Sequence, residues 1–261
     1  MHRGKTVACV IPARLASTRF PKKMLAHLAG KPLLQWVWEA ASSIQLFDSV
    51  QFAVDVEETL QLVQSFGATA YMTSSTCRCG TERLIELKRR KLVEAEVWVN
   101  WQGDEPLIRA PLIQDLLQSC DRSDIDVWTL CKKIEDLSEI ASPHIAKVVA
   151  GAGGRALFFS RSPLPYSFPE DPLPLYWKHV GVYAFRQEAL DRIATFSEPM
   201  EERAERLEQL RWLHHGLNVQ LHETEQIAFG IDLPHQLAIA EEMLLARTRQ
   251  PANSELVAVE Y

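Results

Sequence analysis

The chain has 261 residues, 47% hydrophobic and 24% charged, the balance of an ordinary globular protein long enough for one large α/β unit or two small ones. Its formal net charge of −6 excludes a nucleic-acid binder working through general basicity, but not a locally basic anion site. The five cysteines, Cys9, Cys77, Cys79, Cys120 and Cys131, are read as reduced thiols, and the Cys77/Cys79 spacing, with no His/Cys pair to complete it, is wrong for zinc.

No apolar run approaches a membrane span, and Val7–Ala13, followed at once by Arg14, lacks the layout of a signal peptide. Val7–Ile11 is instead a buried strand ending at Pro12. Pro32 opens a helix that carries Leu33, Val37, Ala40, Ala41 and Ile44 on one face. Then follow strand Val50–Val54, helix Glu57–Phe66, strand Ala68–Met72, helix Thr81–Lys91, strand Val97–Asn100 and a helix opened by Pro111. Such alternation predicts a parallel sheet with helices on both faces. Further on, Ala146–Ala150 and Arg155–Ser160 read as a hairpin across Gly151–Gly154, and the five prolines of Ser162–Tyr176 as an irregular loop. Strand Lys178–Phe185, helix Glu201–His215, strand Val219–His222 and helix Pro234–Arg247 complete the pattern. We expect one domain over residues 1–247, with a lobe at about 130–225, and a frayed tail over 248–261.

The loop Pro12–Lys23 follows the first buried strand, and ligands in open parallel sheets sit beyond the carboxyl ends of strands. It holds Arg14, Arg19, Lys22 and Lys23 with no acid among them, plus the hydroxyls of Ser17 and Thr18. Clustered forks and point charges suit a polyphosphate. The Walker A spacing is absent, so a P-loop ATPase is not expected. Asp104 ends the strand Val97–Asn100 after the Gly103 turn, where a carboxylate can hold Mg²⁺ against phosphate oxygens. Asp232, also after a glycine, is the candidate second acid; each Asp could instead cap a helix, and for Asp232 alone the two readings are roughly even.

Seven segments, running in order from Val10 to Leu237, make the chain resemble the 3-deoxy-manno-octulosonate cytidylyltransferases, or CMP-Kdo synthetases. They are Ile11-Pro-Ala-Arg-Leu-Ala-Ser-Thr-Arg-Phe-Pro21, Gly80-Thr-Glu-Arg-Leu84, Asn100-Trp-Gln-Gly-Asp-Glu-Pro106, Phe159-Ser-Arg-Ser-Pro-Leu-Pro165, Lys178-His-Val-Gly-Val-Tyr-Ala-Phe185, Leu207-Glu-Gln-Leu-Arg211 and Gly230-Ile-Asp-Leu-Pro234. The resemblance implies a Rossmann-like nucleotidyltransferase fold with a mostly parallel central sheet and a hairpin-rich lobe for sugar binding and dimerisation. It implies coupling of CTP to Kdo, an eight-carbon acid sugar, with release of pyrophosphate. Arg14, Ser17 and Lys23 would hold the triphosphate beside the backbone of Ala13, with Arg83 and Gln102 on the nucleotide side. Asp104 and Asp232 would bind Mg²⁺. Arg161, His179, Tyr183, Glu208 and Gln209 would line the sugar pocket. A cytoplasmic homodimer feeding lipopolysaccharide assembly is implied, with no nucleic acid and no membrane insertion. The residues by themselves leave simple packing open for Tyr183, a strand hydrogen bond for His179 and a helix-surface acid for Glu208.

The chain departs from the family pattern at Lys22, where a Gly is usual, at Cys79 for a Ser, at Ser142-Pro-His144 for Asn-Pro-Asn, and at Asp232-Leu-Pro-His-Gln236 for Asp-Thr-Pro-Glu-Asp. Among rival readings, CMP transfer to sialate or to an amino-Kdo needs only a different sugar. A dinucleotide-dependent oxidoreductase rests on Gly151-Ala-Gly153-Gly-Arg-Ala156, but β structure rather than a helix follows those glycines. Retention of both Asp104 and Asp232 argues against a non-catalytic relative.

Overall fold

The computed structural model describes residues 1–249 apart from Thr18, Pro169 and Asp171. Strand β1 (Val7–Ala13) is buried at all seven positions, as its unbroken apolar run requires of a strand covered on both faces. It pairs in parallel with β2 (Ser49–Val54), which pairs with β3 (Ala70–Met72), and on its other side with β4 (Val97–Asn100). Helices α1 (Leu33–Ser42), α2 (Glu57–Ser65), α3 (Gly80–Arg89) and α4 (Ala110–Leu117) connect or follow these strands.

The second half extends the same sheet. Strands β5 (Val127–Lys133), β6 (Lys147–Ala150), β7 (Ala156–Ser160), β8 (Trp177–Arg186) and β9 (Val219–Glu223) give the order β9-β5-β8-β4-β1-β2-β3, with the β6–β7 hairpin attached to β8. Only β8 runs against its neighbours β4 and β5, so the central path is parallel with one reversed strand. Alternate residues of β1 feed two cores. Cys9 and Ile11 pack with Leu34 and Val37 of α1 and Leu112 and Leu116 of α4. Ala8 and Val10 pack with Leu84 and Leu87 of α3 on the other face. A small third cluster, including Leu28, Leu107, Ile231 and Leu244, seats the last helix against the first half.

Three expectations change. The helix expected over Glu201–His215 is two, Met200–Glu205 and Gln209–His214, because Arg206 adopts a left-handed conformation at φ 54. A left-handed non-glycine residue costs about 1–2 kcal/mol. The fork between Arg211 and Glu202, both buried, with contacts of 2.7 and 2.5 Å, clamps the two short helices and offsets that cost. Strand β5 is not evident from the sequence, where Thr129 interrupts its apolar run. The last helix runs Gln236–Arg249 rather than Pro234–Arg247, so it takes in the first two residues of the tail expected over 248–261, and residues 250–261 lie outside the described residues.

Thr129 is buried within β5, and its hydroxyl donates to the Val182 carbonyl at 2.8 Å. That leaves its oxygen to accept from His179 Nε2 at 3.0 Å, across a bulge between Val180 and Tyr183. Burial pushes the His179 imidazole down to about 3, and burial, with help from Arg122, pushes His222 of β9 down to about 4. Both are therefore neutral when folded, while the unfolded chain protonates them near 6.5. The unfolded state binds more protons between about pH 3 and pH 6.5, so stability falls as pH is lowered through that window. For His179 the loss from pH 7 to pH 5 is about 2 kcal/mol. Urea midpoints at the two pH values should show that loss, and His179→Gln should shrink it; an equal loss in both proteins would contradict the burial assignment.

Candidate active site

Beyond the carboxyl ends of β1 and β4, an open cleft of about 1120 Å³ runs from the Pro12–Lys23 loop to the β6–β7 side of the sheet. Close backbone packing shapes its inner end. Trp101 and Gly103 donate backbone N–H bonds to the carbonyls of Val10 and Pro12 at 3.1 and 3.3 Å. A Cβ on Gly103 would meet the Pro12 oxygen at 3.0 Å and Leu34 at 3.1 Å, so glycine lets the Asp104 turn lie against the basic loop where a side chain would make its neighbours give by a few tenths of an ångström. Ile231 N–H donates to the Asp104 carbonyl at 2.9 Å, which brings the two acid-bearing loops together.

The convergence point is Lys23. Its buried ammonium donates to Asp104 Oδ2 and, at 3.1 Å, to Asp232 Oδ1. Burial disfavours its charge, but the Asp104 and Asp232 carboxylates more than offset this and raise its pKa. Arg19 takes the second Asp232 oxygen at 2.9 Å. Both Asp232 oxygens are thus taken by side-chain cations, Gln236 Oε1 accepts the backbone N–H groups of Asp232 and Leu233 at 2.7 and 2.8 Å, and the N-cap of α4 is Arg109 rather than Asp104. Beside the pair, Glu105 has an Oε2 that is buried without a partner, and burial followed by Asp104 and Asp232 pushes its pKa up to about 8. Asp104 and Asp232 are two carboxylates lining one cleft, the number Mg²⁺ takes alongside water and phosphate oxygens, and among the described residues no third side chain joins them as a ligand group.

The basic loop is held from three sides. Ser17 Oγ accepts the Phe20 N–H at 3.3 Å, and Arg14 reaches the Arg78 carbonyl at 3.5 Å; both residues line the cleft. Ala13 is buried and does not line it, and Thr18 lies outside the described residues. Arg83 lines the cleft too, but its buried guanidinium is engaged by Asp55 at 3.0 Å and Thr73 at 2.6 Å. The other Asp55 oxygen accepts Leu15 N–H at 3.0 Å, so Arg83 acts on the loop through Asp55. Asp55 was missed in the sequence, although an acid directly after a buried strand is the same signal that singles out Asp104. Lys22 sits at φ 56, where glycine is favoured, and its ammonium pairs with Glu58 of α2 at 3.1 Å rather than lining the cleft. Gln102 donates to Asn100 at 3.0 Å, and Asn100 to Thr81 at 3.5 Å.

The outer end collects the remaining expected residues. The Thr129 bond fixes the proton of His179 on Nε2, so Nδ1 accepts from Gln209 Nε2 at 3.2 Å. Tyr183 stacks on His179 with ring centroids 5.4 Å apart, and burial raises its phenol pKa well above the ordinary value. Glu208 sits at the break between the two short helices and accepts the Thr81 hydroxyl at 3.1 Å; burial raises its carboxyl. Cys79, beside it, is a thiol raised by burial and by Glu208. Arg161 donates Nε to the Glu205 carbonyl at 2.7 Å and Nη1 to the Pro143 carbonyl at 2.8 Å, so most of its fork is bound to backbone. Arg161, His179, Tyr183, Glu208 and Gln209 all line the cleft that holds Lys23, Asp104 and Asp232.

Known proteins resemble this chain over most of its length. A family model described as Cytidylyltransferase matches residues 8–227. The 3-deoxy-manno-octulosonate cytidylyltransferase of Acidobacterium capsulatum is 38% identical over 92% of this chain and 97% of its own, and that of Escherichia coli 41% identical over 86% and 90%. A solved CMP:2-keto-3-deoxy-manno-octonic acid synthetase complexed with CTP superposes with a TM-score of 0.86 at 39% identity, covering 93% of this chain and 99% of that one. The inositol-1-phosphate CTP transferase of T. maritima, 13% identical with a TM-score of 0.66, shares the fold. The chain belongs to the 3-deoxy-manno-octulosonate cytidylyltransferase family.

Proposed function

We propose that the protein transfers CMP from CTP to the anomeric hydroxyl of Kdo, giving CMP-Kdo for lipopolysaccharide biosynthesis and releasing pyrophosphate. The observation that carries this reading is a single cleft that joins a basic loop and a paired-acid centre to a polar pocket ending at Arg161. The sugar oxygen forms a bond to the α-phosphorus as the bond from that phosphorus to the β-bridging oxygen breaks, and the hydroxyl proton is lost. Catalysis is then mainly positioning and charge neutralisation.

Arg14, Ser17 and Lys23 cradle the triphosphate, Arg19 adds a further cation at the same end, and Ala13, buried outside the cleft, takes no direct part. Gln102 borders the nucleotide, and Arg83 holds the loop through Asp55. Asp104 and Asp232 would hold Mg²⁺, which when bound neutralises phosphate charge and makes the attacking hydroxyl more acidic. His179 is neutral with both ring nitrogens bonded, to Thr129 and to Gln209, so it holds Gln209 in place for the sugar hydroxyls and is not a source of positive charge. Glu208, Tyr183 and Arg161 complete the sugar wall. The described cysteines are all free, in keeping with the cytoplasmic setting of this chemistry, and none of the described helices is long and apolar enough to cross a membrane.

The reading also includes a homodimer built on the hairpin lobe. β7 is bordered by β6 on one side, and Leu157 and Phe158 on it are exposed, as are Leu173 and Leu175 of the following loop. An exposed apolar edge of this kind favours a covering partner, here a second copy. Sedimentation should give a dimer, and Phe158→Asp should shift it to monomer; a monomeric wild-type protein would remove this part of the reading.

Pyrophosphate release over the four nucleoside triphosphates, with Kdo, an amino-Kdo and sialate, tests the activity. Release is expected with CTP, Kdo and Mg²⁺ together, and Asp104→Ala should lower turnover by about a thousandfold. Preference for sialate, or full activity of Asp104→Ala, would overturn the proposal.

A further inference from the structure

Behind the outer end of the cleft lies a cation that none of the roles above uses. Lys147, the first residue of β6, is fully buried. Its ammonium donates to the carbonyls of Ser142 at 2.8 Å, Ile145 at 2.7 Å and Arg161 at 2.6 Å, which engages all three of its protons. Two of those acceptors belong to the 142–146 segment, whose Ser142, His144 and Ile145 line the cleft; the third is the backbone of Arg161 itself. Arg161 returns to the same segment through Nη1 and the Pro143 carbonyl.

The charges in this clasp do not balance. Glu205 is the carboxylate that enters it, accepting the Ser160 hydroxyl at 2.7 Å and the Arg161 backbone N–H at 2.8 Å. Among the described residues, neither Lys147 nor Arg161 has a carboxylate oxygen within 4.0 Å of its charged nitrogens. Two cations against one anion leave one positive charge in surplus at the sugar end of the cleft. A buried charge compensated only by carbonyl dipoles is costly to hold, and an anionic ligand group at Arg161 would neutralise the surplus.

We propose that Lys147 is a positioning residue for the carboxylate of the sugar acid: it fixes Arg161 and the 142–145 segment relative to each other and supplies the surplus charge that the carboxylate answers. This role rests on the reading of the outer cleft as the sugar-acid subsite. Lys147→Met removes the three hydrogen bonds and the charge while keeping the chain length. Trimming the adjacent core residue, Val148→Ala, weakens the same strand without touching the clasp.

The test is steady-state kinetics on the wild type and both variants, with thermal midpoints alongside. Lys147→Met should raise KM for the sugar acid by about tenfold or more, the effect of losing a charge-assisted contact, and leave KM for CTP within about twofold. Val148→Ala should leave both KM values within about twofold even where its midpoint falls as far. Equal rises in both KM values for Lys147→Met, no change in either, or the same split in Val148→Ala would overturn the role. Wild-type protein reports independently, whether or not Lys147→Met folds. The sugar acid should slow amide hydrogen exchange in the 142–146 segment that Lys147 clasps and CTP should not; equal exchange with and without the sugar acid would also overturn it. Failure of the wild type to turn over Kdo at all would instead remove the sugar reading beneath it.

Discussion

The ammonium of Lys23 between Asp104 and Asp232 is the contact on which the rest of the site depends. It joins the loop after β1, the turn after β4 and the approach to the last helix, three segments separated by up to 209 positions in the chain. Lys23 is 7% exposed, so removing the carboxylates leaves an ammonium that water reaches badly. The same geometry that stabilises the fold therefore keeps two carboxylates and a lysine together at one end of the cleft. Structure and chemistry draw on one set of interactions here, and that limits which residues the inner cleft can tolerate.

Around that contact the polar groups divide into those that face the cleft and those that hold others in place. Asp55 links Arg83 to the Leu15 backbone, Gln236 takes the N–H groups at Asp232, and Thr129 sets the tautomer of His179. Lys147 does the equivalent for Arg161 at the far end. Each supporting group has one face on a rigid strand end or helix end and the other on a cleft residue. Such second-layer contacts hold the reacting groups to the tolerance that positional catalysis requires.

Much of this was legible in the sequence. The alternation through Leu117 placed β1 to β4, because buried parallel strands are unbroken apolar runs. The basic loop and Asp104 were found by their position after such runs. Asp232 is evenly balanced between ligand and cap in the sequence; in the structure its two oxygens go to Lys23 and Arg19, partners that the sequence does not reveal. What could not be read depends on distant partners. β5 is hidden because Thr129 is polar, and its hydroxyl is satisfied only by a strand some fifty positions away. The break at Arg206 is hidden because the pattern over Glu201–His215 is helical throughout, and the Arg211–Glu202 clamp that stabilises the break is a tertiary contact. The roles of Lys22 and Arg83 were likewise decided by Glu58 and Asp55 on neighbouring elements, not by their own loop or helix.

The central claim is that the acids gathered by Lys23 form the place where a divalent cation and the triphosphate of CTP meet. Titration of Mn²⁺ followed by electron paramagnetic resonance, in the presence of CTP, tests it without depending on turnover. The account predicts tight Mn²⁺ binding to the wild-type protein with CTP, and about a hundredfold weaker binding in Asp104→Asn and Asp232→Asn, in the range for a lost charged partner. Undiminished binding in both variants would contradict it.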